Sequence, residues 1–69
     1  MFIALTEEME DEDEVMTTRQ IAVNIRNIAW FQVSDEDSDK TFVEMIVGDS
    51  IVVSESFNEI WCRIKEINR

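Results

Sequence analysis

Residues 41–67, TFVEMIVGDSIVVSESFNEIWCRIKEI, decide the fold of this chain. Thr41–Val47 alternates, with Val43 and Met45 on one face and Phe42, Glu44 and Ile46 on the other, which is the period of a strand. Gly48, the only glycine, stands with Asp49 where a two-residue hairpin turn needs a positive φ, and Ile51–Val53 returns as the paired strand. Ser56-x-x-Glu59 then has the spacing of a capping box and predicts a C-terminal helix over residues 56–68. Phe57, Ile60, Trp61, Ile64 and Ile67 fall on one stripe of that helix. Glu59 and Arg63 form an i,i+4 pair, and Lys65 and Arg69 sit towards the negative end of the helix dipole.

Outward from this unit, Ile28–Val33 is a further strand that sends Trp30 and Phe31 to opposite faces, joined to Thr41 by the polar connection Ser34–Lys40. Gln20–Asn24 alternates as another strand, with Ile21 and Val23 on one side, and a bend at Ile25–Asn27 follows it. Phe2–Leu5 is a first strand. Between Glu7 and Glu14 seven of eight residues are acidic (Glu7, Glu8, Glu10, Asp11, Glu12, Asp13 and Glu14), and charge this dense predicts a repelled, extended loop over residues 6–18. The expected fold is α+β: a single domain over residues 1–69, in which a small antiparallel five-stranded sheet, curved or partly closed, carries one C-terminal helix.

Composition narrows the function. A 69-residue chain is near the lower limit for a self-sufficient core, so self-association into a homo-oligomer is expected. Sixteen acidic against six basic residues give a net charge of −10, which opposes direct binding to nucleic acid and favours a protein partner with a basic surface. One cysteine, no basic-then-apolar leader and no apolar run long enough for a span predict a cytoplasmic protein without membrane insertion.

Catalysis has no foothold in the sequence. There is no histidine for a triad, an imidazole base or a zinc ligand, and Cys62, without such a partner, is expected as an inert, partly buried thiol. Asp35, Asp37 and Asp39 occupy alternate positions as in a calcium loop, but Lys40 stands where the glycine belongs and Ile46 where the bidentate glutamate belongs, so the default is a solvated loop. No cofactor is expected. Arg19 and Arg26 flank the second strand and could grip an anionic ligand such as a nucleotide; salt bridges to the acidic segments are the alternative.

Asn24-x-x-x-Ile28, Thr41–Gly48, Val53-Ser54-Glu55-Ser56 and Glu59-Ile60 together resemble the small flagellar protein family FlbD, also called SwrD, and similar short proteins of bacteria and phages. The resemblance covers about two-thirds of the chain and implies a strand, a Gly48 hairpin, a helix start at Glu55-Ser56, and Ile60 and Ile64 as core. The acidic run and the Trp30-Phe31 pair depart from the family pattern, so the resemblance implies a fold and a size class, and a phage or mobile-element origin is as consistent with it as a flagellar role.

The function expected is therefore that of a small acidic, non-enzymatic protein that binds and modulates or inhibits another protein. Its contact surface is expected at Trp30, Phe31 and the acidic residues 7–14. Two alternatives remain open at this point. One is a nucleic-acid mimic, using the carboxylates of residues 7–14 and 35–39 to block a DNA- or RNA-binding protein; the other is an anion-binding pocket at Arg19 and Arg26.

Overall fold

A computed structural model describes residues 1–67. Its elements are strands β1 (Phe2–Glu10), β2 (Met16–Asn24), β3 (Ile28–Val33), β4 (Thr41–Met45) and β5 (Ile51–Val53), a 3-10 turn at Ile25–Asn27, and helix α1 (Phe57–Ile67). The strands form one antiparallel sheet in the order β2-β1-β5-β4-β3, open at both edges. The expected α+β fold is what the chain adopts.

Chain connectivity curls this sheet. β2 and β3 are its two edge strands, yet only Ile25–Asn27 separate them. In a flat sheet the edges of five strands lie about 19 Å apart, at about 4.8 Å per step. A 3-10 link of this length spans under about 10 Å, so the two edges are drawn towards each other. They do not pair, and an open seam is left between them.

The core lines the face that α1 covers. Leu5, Val43, Val53 and Ile60 are fully buried, with Ile3 and Val23 nearly so, and Phe31, Ile51, Ile64 and Ile67 pack around them. Val43 and Met45 lie on this face, and Ile21 and Val23 share it, as the alternation of their strands predicts. Thr41 is the one fully buried polar side chain among the described residues, and its hydroxyl donates to the Glu55 carbonyl at 2.8 Å. The Glu55 carboxylate accepts from the Thr6 N–H at 2.8 Å and the Thr6 hydroxyl at 3.0 Å, tying β1 to the start of the helix. The helix begins with one half of the capping box: the Glu59 N–H donates to Ser56 Oγ at 3.2 Å, and the Glu59 carboxylate accepts from the Ser56 hydroxyl at 3.4 Å. The sequence extends the helix one residue further, to 68, and places Arg69 beyond it; both lie outside the described residues.

Two expectations are corrected. Residues 6–18 are not a loop: Thr6–Glu10 complete β1, Met16–Thr18 begin β2, and only 11–15 turn. Like-charge repulsion is overcome because Glu7 stands opposite Arg19 and Glu8 reaches Lys40, placing cations beside the carboxylates within the sheet. The second correction concerns Gly48-Asp49. β4 and β5 last pair at Val43 and Ile51, so their connection is wider than a two-residue turn, and β4 ends at Met45 rather than Val47. Asn27 is the cause: its carbonyl accepts from the Ile46 N–H at 2.7 Å, and its side chain bonds both the N–H and the C=O of Val47 at 2.9 Å. Gly48 does adopt a positive φ, +105°, with open space around its α-carbon.

The β1–β2 tip is a three-residue hairpin loop, Glu12-Asp13-Glu14. The Glu14 N–H donates to the Asp11 carbonyl at 3.0 Å, and Asp11 Oδ1 accepts from the N–H groups of Asp13 and Val15. Glu14 sits at φ 61°, in the left-handed region that suits glycine. Replacing Glu14 by glycine relieves steric cost of about 1–2 kcal/mol and adds back a smaller backbone-entropy cost. Glu14→Gly should therefore raise stability by about 0.5–1 kcal/mol, read as a higher urea midpoint; a lower midpoint would show that the tip is not held in this conformation.

Candidate interaction surface

Residues that alternate with the core-facing set point to the other side of the sheet. Cross-strand register puts Glu8, Val52, Phe42 and Gln32 in one row across four strands, and pairs Trp30 with Glu44. Trp30 stacks on Phe42 in a tilted arrangement, ring centroids 5.8 Å apart, and remains 49% exposed. Trp30 thus has an aromatic bed but no cover.

Phe31 points the other way, as the strand period requires. Its ring packs 4.9 Å from Phe57 and 6.5 Å from Trp61, centroid to centroid, so it joins β3 to the helix. Phe31 is half-buried and belongs mainly to the core rather than to a contact surface. Trp61 is the residue that sequence reasoning missed: it was assigned to the apolar stripe, yet it is 49% exposed. Trp30, Trp61, Phe31 and Ile64 line a groove of about 460 Å³ together with Met1 and Ile25, which places it beside β3 at the end of the seam where the 3-10 turn joins the two edges.

The acidic run divides into paired and unpaired charge. Glu7 accepts from Arg19 at 2.8 Å; Glu8 binds Lys40 at 2.6 Å and accepts from the Ser54 hydroxyl at 2.8 Å. Asp37 lies 3.7 Å from the same Lys40 ammonium. Asp11 braces the hairpin turn, while Glu10, Glu12, Asp13 and Glu14 make no ion pair among the described residues. The predicted carboxylates are therefore not one continuous site.

The hydrogen bond from Lys40 holds the Glu8 carboxyl below its ordinary 4.5, against desolvation and with help from Ser54. The same hydrogen bond raises Lys40 above 10.5. A depressed carboxylate stabilises the fold above its unfolded pKa and loses that contribution as pH falls through the folded value; a raised amine loses its contribution as pH climbs past 10.5. The pair therefore stabilises the fold between about pH 4.5 and 10.5. Lys40→Met should reduce the stability lost on acidification from pH 6 to 3, measured by urea unfolding at each pH; an unchanged acid slope would show that this pair is not formed.

Arg19 and Arg26 do not converge. Arg19 is engaged with Glu7, whereas Arg26 lines the seam groove, so no two-arginine anion site is assembled. No group of three or more potential metal ligands forms among the described residues, Asp35, Asp37 and Asp39 included. Cys62 is exposed, a correction to the expected partly buried thiol. No described helix is long and apolar enough to cross a membrane. No family model, no curated protein and no solved structure matches this chain.

Proposed function

We propose that this chain is a non-enzymatic protein-binding module that modulates or inhibits its partner, docking through the surface around Trp30 and Trp61. The observation that carries this reading is that two half-exposed tryptophans, one from β3 and one from α1, line the same groove. Tryptophan is enriched among residues that dominate binding energy, and a surface of this size has no folding reason to leave two of them in water. The net charge of −10 supports a partner with a basic surface. Self-association belongs to the same reading, since it would bury Trp30, Val33 and Trp61 together. Capture from a host lysate by the tagged chain, compared with a Trp30→Glu/Trp61→Glu variant, tests the proposal, and sedimentation of both shows whether a second copy is the partner.

The nucleic-acid mimic is a second reading, and one observation favours it. Glu7, Glu8 and Glu10 are held on a strand, and Glu8 and Glu10 share one face at a spacing of about 6.8 Å. The ion pairs of Glu7 and Glu8 count against it, because they neutralise two of those three carboxylates. Partner binding that weakens steeply with salt and with Glu→Gln changes at the tip would move the assignment to this reading.

The resemblance to FlbD and SwrD stands as a proposal about ancestry. The residues that carry it have structural roles: Asn24 caps the 3-10 turn by accepting from the Arg26 N–H, Gly48 takes the positive φ, and Ser56 caps the helix.

A further inference from the structure

We propose that the open seam beside β3 is a docking groove for one extended segment of a partner protein, apolar at alternate positions and basic at the positions between. The inference rests on the protein-binding reading above and names the mode of binding and the chemistry of the partner.

Edge strands normally carry a charge, a proline or a short length that discourages further pairing. The six residues of β3, Ile28-Ala29-Trp30-Phe31-Gln32-Val33, include no charge and no proline, in a chain where 32% of residues are charged. The opposite edge, β2, is guarded by Arg19. β3 departs from regular pairing at only one point, between Ile28 and Trp30, which leaves Phe31–Val33 regular.

The register states which main-chain groups are free. The Ser34 N–H donates to the Lys40 carbonyl at 3.0 Å, so in antiparallel alternation Gln32 also turns its backbone groups towards β4. Phe31 and Val33 turn theirs outward, offering two donors and two acceptors to an incoming strand. An added strand alternates its side chains between the two sides of the sheet. Those on the core side would enter the groove against Phe31, Trp61 and Ile64 and must be apolar. Those on the other side would lie beside Trp30 and Gln32, with Glu44 one strand further in and Asp35 and Glu36 just beyond Val33. That row favours lysine or arginine, both by charge and by cation–π contact with the indole.

The test uses the full chain and a short end-blocked peptide of alternating lysine and valine, with a glutamate-for-lysine peptide as control. Tryptophan fluorescence should report saturable binding of the lysine peptide and none of the control. Amide exchange should show new protection at the Phe31 and Val33 N–H groups, a readout that needs no variant. Val33→Pro removes one free donor without touching a β4 hydrogen bond, and losing one to two main-chain bonds should weaken binding about tenfold. Absence of lysine-peptide binding, or equal binding of the control, overturns the inference. Binding with protection elsewhere, or binding unchanged by Val33→Pro, also overturns the seam as the site while leaving the tryptophan surface standing. That broader reading fails separately, if partner capture survives Trp30→Glu/Trp61→Glu.

Discussion

Ile60→Ala should cost about 3 kcal/mol of stability, about a third or more of the total for a chain of this length. Ile60 is completely buried, and among the described residues it is the only helix residue so placed. It sits in the cluster formed by Leu5, Val43 and Val53, so truncation leaves a cavity bounded by three strands and the helix backbone. Isoleucine-to-alanine changes in such sites cost roughly 2–5 kcal/mol. A chain of this length has roughly 3–10 kcal/mol in total, at about 0.05–0.15 kcal/mol per residue. Equilibrium urea unfolding measures the loss. The half-buried Ile64, changed the same way, should cost clearly less. A loss below about 1 kcal/mol at Ile60 would mean that the helix is not docked where the core requires it.

Trp30→Glu and Trp61→Glu should each weaken partner binding by about thirtyfold or more while shifting the urea midpoint only slightly. The binding figure corresponds to the roughly 2 kcal/mol that defines a dominant interface residue. The small stability effect follows from exposure: both indoles are 49% exposed, so a carboxylate there can stay hydrated. Phe31→Ala should show the reverse pattern, a lower midpoint, because its ring contacts Phe57 and Trp61. Titration of purified partner against each variant separates the two patterns. Full affinity in the double tryptophan variant would place the contact surface elsewhere on the molecule.

Much of the fold is legible in the residues because several of its rules are local. The helix start at Phe57 follows from Ser56 and Glu59 three positions apart, and the Ile28–Val33 strand and the Ile25–Asn27 bend fall where alternation and its interruption put them. The opposite faces of Trp30 and Phe31 follow from strand period alone. The acidic segment was misread because its stability is not local. Glu7 and Glu8 become strand residues through Arg19 and Lys40, which are 12 and 32 positions away. The hairpin at Gly48 was misread for the same reason, since Asn27 reaches it from 20 positions away.

The candidate surface divides in the same manner. Sequence placed Trp30 and Phe31 on opposite faces, with one of the two left without a cover, but gave no sign that Trp61 would share a groove with them. Amphipathic periodicity marks which side of a helix is apolar; it does not say how much of that side the sheet is wide enough to bury.

The sequence by itself therefore determined the order of the elements, the two faces of the strands at Gln20–Asn24, Ile28–Val33 and Thr41–Met45, and the start of the helix, because propensity, period and capping act over a few residues. Only the tertiary structure decided that residues 7–10 lie in a sheet, that β2 and β3 are its two edges, and that Trp30 and Trp61 line one groove. The physical reason is that strand pairing and closure join residues far apart in the chain, and their partners are settled by the whole core at once.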